Sequence, residues 1–133
     1  MTTYVDSSAL VSKYLDEPAS ERATQLLSAD AELITGRLTI VEVRRTIAQN
    51  LGPTDGTAAR AAFATDLREF DLVEIDSTTC ELAAVIGEQL GVRSLDALHL
   101  GAAQRVGKPL TFLTFDVRQG RAARELGFDV AGV

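Results

Sequence analysis

Short apolar runs alternate with longer stretches of helical period along all 133 residues. That alternation specifies strands joined by helical crossovers, and so an α/β layer architecture. Strands are expected at Thr3–Val5, Leu33–Thr35, Leu72–Ile75, Leu110–Thr114 and Phe128–Val130. Helices are expected over Ser7–Leu15, Ala19–Ser28, Ile40–Leu51, Thr57–Phe70, Thr79–Leu90, Leu95–Val106 and Val117–Leu126. The stripe Ile40, Val43, Ile47 and Leu51 has the spacing of one buried helix face. Gly52-Pro53, Gly91 and Gly107 read as helix stops. With 46% hydrophobic residues the chain has enough apolar material for one core. The expected fold is a three-layer α/β/α domain over residues 1–133. Its sheet is mainly parallel, with four or five strands and the first strand central, and helices cover both faces.

Four carboxylates fall where strands end and helices begin: Asp6, Glu42, Asp96 and Asp116. In an open parallel sheet those points lie along one edge, where ligands bind at a topological switch point. Each acid also has an ordinary structural role. Asp6 and Asp116 suit helix N-caps, Glu42 stands at capping-box spacing from Thr39, and Asp96 suits a first helical turn. The two roles differ in what they imply together. Carboxylates gathered on one edge repel, by about 4 kcal/mol per pair at ~4 Å and an effective dielectric of 20. A divalent cation offsets that repulsion. All-oxygen ligands favour Mg²⁺ or Mn²⁺ over zinc, and Cys80 and His99 alone make a poor zinc set.

The net charge of −6 argues against broad, nonspecific attraction to nucleic acid. It leaves room for a local basic patch, for instance from Arg37, Arg44 and Arg45. One cysteine forbids an internal disulfide. No apolar run reaches membrane-spanning length, and the N-terminus lacks the pattern of a secretory signal. A reduced, cytoplasmic protein with no membrane association is expected.

The segments Tyr4-Val-Asp-Ser-Ser-Ala-Leu, Leu95-Asp-Ala-Leu-His-Leu and Leu113-Thr-Phe-Asp, with the helix bearing Glu42, resemble PIN-domain ribonucleases. Within them the chain is similar to VapC toxins of bacterial toxin–antitoxin pairs. The resemblance covers essentially the whole chain, in family order. It implies a PIN-like fold and a Mg²⁺- or Mn²⁺-dependent endoribonuclease that hydrolyses RNA phosphodiesters. It also implies inhibition by a cognate VapB-like antitoxin, and a homodimer. The matching positions make Asp6, Glu42, Asp96 and Asp116 the acidic site. Asp6 and Asp96 are expected as central metal ligands, Asp116 completes the shell directly or through water, and Glu42 orients the attacking water or holds it by a hydrogen bond; the sequence does not separate ligand from base among the four. Many members carry a further acid shortly after the fourth, where this chain has Val117, Arg118 and Gln119.

Around that set, Thr114 is two residues before Asp116 and shares its strand face, so its hydroxyl can serve the site or bond to nearby backbone. Ser8 suits a contact to the site or a local cap. His99 is expected to be a partly buried helix residue or a partner of one of the acids. Arg44 and Arg45 follow Glu42. They suit a contact to RNA phosphate or to an antitoxin carboxylate, and Arg45 equally suits a surface pair with Glu42. Two other functions compete. An aspartyl-phosphate phosphotransferase would use Asp6 as nucleophile, but the second Asp of dehalogenase-like phosphatases is replaced by Ser8, and no receiver-type Lys follows Thr114. A non-catalytic RNA- or antitoxin-binding module of the same fold is the other.

Overall fold

The computed structural model describes residues 1–29 and 32–133. In chain order the elements are β1 (Thr2–Val5), α1 (Ser7–Tyr14), α2 (Ser20–Ser28), β2 (Glu32–Gly36), α3 (Leu38–Asn50), α4 (Pro53–Leu67), β3 (Phe70–Val73), α5 (Ser77–Leu90), α6 (Ser94–Val106), β4 (Thr111–Leu113), α7 (Val117–Glu125) and β5 (Asp129–Ala131). All strand pairings are parallel, in the order β3-β2-β1-β4-β5. The first strand is central, as the sequence predicts. The chain builds β1, β2 and β3 outward on one side, then returns to place β4 and β5 on the other. The direction of strand order therefore reverses between β1 and β4.

Period-two alternation divides the core. Tyr4 and Phe112 point into a cluster with residues of α5, α6 and α7, including Ile86, Leu100 and Ala123. Their neighbours Val5 and Leu113 point into the opposite cluster, with Leu10, Val43, Ile47 and Phe63 from α1, α3 and α4. Tyr4 stacks on Phe112 at 5.3 Å between ring centroids. Both faces are thus covered, giving three α/β/α layers. Strands buried on two faces read as nearly continuous apolar runs, which is why they are visible in the sequence.

The largest boundary shift from expectation is at α4. Pro53 does not merely stop α3. It occupies the first turn of α4, where its missing N–H costs nothing and its fixed φ suits a helix. Helix α4 therefore runs four residues earlier than expected and ends at Leu67, and Phe70 opens β3 instead of closing the helix. Gly91 ends α5 in the left-handed region, with φ +68°. Gly101 has a different role. A Cβ there would lie 3.0 Å from the Ala83 nitrogen and 3.1 Å from the Thr79 carbonyl oxygen, so α6 approaches α5 backbone to backbone. Among the described residues no helix is long and apolar enough to cross a membrane.

Candidate active site

Asp6 leaves β1 and Asp116 leaves β4, adjacent strands at the point where strand order reverses. The Asp6 N–H donates to the Leu113 carbonyl at 2.9 Å, which fixes the two strand ends together. Asp6 is buried, with 3% of its surface exposed. A buried carboxylate needs donors, and two hydroxyls supply them. Ser8 Oγ donates to Asp6 Oδ2 at 2.8 Å and Thr114 Oγ1 donates to the same oxygen at 2.7 Å. Each hydroxyl also accepts a backbone N–H from the segment that leads to α7: Phe115 to Ser8 at 3.0 Å and Asp116 to Thr114 at 3.1 Å. Ser8 and Thr114 therefore orient the Asp6 carboxylate and hold the backbone of Asp116 at once. Although Asp6 occupies the N-cap position of α1, its side chain makes no cap bond.

The other acids separate by role. Asp116 does cap α7, accepting from the N–H groups of Arg118 and Gln119 at 2.8 and 3.2 Å. Glu42 does not form a capping box with Thr39, whose hydroxyl bonds Thr35 Oγ1 instead. Glu42 Oε1 accepts from His99 Nε2 at 2.6 Å. Nor does Glu42 pair with Arg45; among the described residues neither Arg44 nor Arg45 forms an ion pair. Both arginines are exposed, and Arg44 lines an apolar groove with Ile40, Arg60 and Phe63.

His99 is almost wholly buried, at 1% exposed. Its Nδ1 meets the Tyr4 hydroxyl at 2.8 Å, and its Nε2 lies 3.6 Å from Asp6 Oδ1. Burial opposes protonation of this ring. The hydrogen bond to Glu42 and the charges of Asp6, Glu42 and Asp96 outweigh it and raise the imidazole above its ordinary pKa. With both ring nitrogens engaged, the ring has one orientation. Tyr4, His99 and Glu42 form a chain from the sheet to the edge of the site. The residues lie 38 or more positions apart in pairs, so no local pattern could have announced it.

Asp96 sits in the first turn of α6, half-buried. Burial lifts its carboxyl above the ordinary range, and the charges of Asp6 and Asp116 lift it further, against the opposing pull of His99 and Arg93. Three acids thus share one electrostatic neighbourhood. Hard oxygen donors of this kind suit Mg²⁺ or Mn²⁺. Among the described residues no group of three acidic, histidine or cysteine side chains is placed to hold a metal ion. The donor set fits a divalent ion in its chemistry, and two of its members, Asp6 and Asp116, are held by hydrogen bonds.

The PIN domain family model matches residues 3–125. "Ribonuclease VapC46" of Mycobacterium tuberculosis is 34% identical over 128 residues, covering 96% of this chain and 94% of that protein. The structure of FitAcB from Neisseria gonorrhoeae shares the fold with a TM-score of 0.77 at 18% identity, covering 97% of this chain and 96% of that one. A toxin–antitoxin complex from Klebsiella pneumoniae gives a TM-score of 0.71 at 17% identity over 89% of each chain.

Proposed function

This chain belongs to the PIN-domain family, and from that premise we propose that it is a Mg²⁺- or Mn²⁺-dependent endoribonuclease, the toxin of a toxin–antitoxin pair. The observation that carries the reading is the fixing of Asp6. Two hydroxyls lock its carboxylate beside the segment that bears Asp116, and Asp96 is charge-coupled to both. Arrangements that stabilise a helix alone have no need to couple Asp96 by charge to both Asp6 and Asp116.

Asp6, Asp96 and Asp116 would hold the cation. When bound, such an ion supplies a water of lowered pKa and positive charge against the phosphate oxygens. The rest falls to the chain. Ser8 and Thr114 keep Asp6 Oδ2 occupied, while Oδ1 faces His99 Nε2 at 3.6 Å. His99 donates to Glu42 and holds its carboxylate still, so that Glu42 can orient the attacking water and accept its proton. Hydrolysis then adds water across a P–O bond of the RNA backbone.

The partner reading follows the relatives. A protein antitoxin covers the acidic edge, and the exposed Arg44 and Arg45 suit contacts to its carboxylates. The family resemblance also supports a homodimer. Mapping of cleavage sites on total cellular RNA, with and without Mn²⁺, tests the activity and identifies the substrate together. Discrete cuts that need the metal are expected, and RNA left intact under both conditions would end the ribonuclease reading.

A further inference from the structure

Beside the acidic edge lies a groove of about 250 Å³ lined by Arg93, Asp96, Arg118, Arg121 and Glu125, with Val92 among its apolar neighbours. Three of these are arginines, in a chain whose net charge is −6. Arg93 immediately precedes α6, three residues before Asp96. Arg118 and Arg121 lie three apart on α7, hence on one helix face, and begin two residues after Asp116. The two helix starts are tied together: Gln119, buried, donates from Nε2 to the Asp96 carbonyl at 2.9 Å. The basic wall and the acid beside it therefore form one fixed unit. Among the described residues none of the three guanidinium groups is taken up by an ion pair, and each of these arginines is exposed.

We infer that this groove is a phosphate subsite, holding the backbone of single-stranded RNA beside the acidic edge. The inference rests on the ribonuclease reading. A polyanion approaching a cluster of carboxylates is repelled, and something must offset that before the cation and the backbone can meet. Guanidinium groups do so with geometry as well as charge, since their paired N–H donors match phosphate oxygens. The lining counts three cations against Asp96 and Glu125, so it is locally positive where the molecule as a whole is not. Its volume is below the ~300–1,000 Å³ of pockets that enclose a whole small ligand, which suits a charged group on a strand passing through.

The test is binding of a fluorescent single-stranded RNA oligonucleotide to the cleavage-impaired Asp6→Asn protein in Mn²⁺, with and without Arg118→Gln/Arg121→Gln. Both arginines are exposed, so the double variant folds. Its dissociation constant should rise about tenfold or more, and the slope of log K against log salt should become shallower by about 1.4, for two lost contacts on single-stranded nucleic acid. Arg68→Gln, at the opposite edge of the sheet, should bind like the parent. In otherwise native protein the double variant should raise KM and leave kcat nearly intact. Unchanged affinity and salt slope would overturn the inference. So would a double variant that binds RNA normally but no longer retains its protein antitoxin, which would assign the groove to protein carboxylates. If Arg-dependent RNA binding stands while the native chain cuts no RNA with Mn²⁺, the subsite survives and the ribonuclease reading falls. If the native chain cuts RNA and the double variant keeps its KM, the reverse holds.

Discussion

Asp76 and Asp96 open neighbouring helices, α5 and α6, that pack along each other. Their surroundings are opposite. Exposed Asp76 caps its helix, accepting from the Thr79 N–H at 3.1 Å, and takes Arg105 Nη1 at 2.7 Å. The cap bond and then the arginine lower its pKa. Half-buried Asp96 receives no such donors among the described residues; burial, Asp6 and Asp116 raise its pKa. Asp66 is also matched with donors, Lys13 Nζ and the Tyr14 hydroxyl, each at 2.7 Å. Asp66 and Asp76 are each paired with a cation as well as a neutral donor, whereas Asp96 is coupled by charge to two other acids. On the proposed reading, that repulsion is what a bound cation would offset.

The contrast can be broken most sharply by the same substitution at both positions. Asp96→Asn should lower RNA cleavage in Mn²⁺ by about 10²- to 10³-fold, the scale for losing one electrostatic contributor to a transition state. Thermal melts should show its Mn²⁺-induced stabilisation shrinking, while in EDTA it melts no lower than the parent because one repelling charge is gone. Asp76→Asn should do the reverse, with cleavage unchanged and a lower melting temperature in either condition. Equal Mn²⁺ shifts for the parent and Asp96→Asn would take Asp96 out of the site.

A smaller effect is expected from Thr114→Val, which keeps the shape and removes a donor from buried Asp6 Oδ2. Loss of a partner behind a ligand costs about 10- to 100-fold in activity or metal affinity, visible as a shifted Mn²⁺ dependence of cleavage. Chemical denaturation should register about 1–3 kcal/mol for the unpaired groups. If the variant titrates with Mn²⁺ like the parent, the hydroxyl holds only the fold. Tyr4→Phe tests the far end of the chain to Glu42. It removes the hydroxyl at His99 Nδ1, costs about 1 kcal/mol of stability, and should lower kcat more than it raises KM.

Much of this contrast was legible in the sequence. The strand-end positions of Asp6 and Asp116 follow from β-branched runs immediately before them. Pairings across long separations were not legible. Thr39-x-x-Glu42 has capping-box spacing, yet a buried imidazole 57 positions away wins the carboxylate, because an imidazole shut away from water must be paired. The sequence favours local capping for Ser8, and its bond from the Phe115 N–H depends on β4 arriving beside β1. The arginine groove depends on α6 and α7 meeting, which Gln119 arranges and no periodicity reveals.

The smallest expected effect concerns pH. The folded-state pKa of Asp76 lies below its unfolded value, so its contribution to stability is present above the ordinary aspartate pKa of about 3.9. That contribution is lost as the pH falls through the lower folded value. The stability gap between the parent and Asp76→Asn should therefore be constant near neutrality and close on strong acidification. Denaturation curves at a series of pH values would show it; a gap that persists in strong acid would mean that the carboxylate charge of Asp76 contributes nothing.

The backbone contact at Gly101 carries one more consequence. With 3.0 Å between its would-be Cβ and the Ala83 nitrogen, a methyl group there would press on the α5 backbone and force the seam to give. Asp96 and His99 ride the same helix, five and two residues earlier, so any displacement at the seam arrives at the site as a common translation of both. The hydroxyls around Asp6 belong to other elements and would stay behind. A residue with no side chain, facing away from the chemistry, thus sets the offset between two halves of the acidic cluster and acts as a mechanical reference point for it.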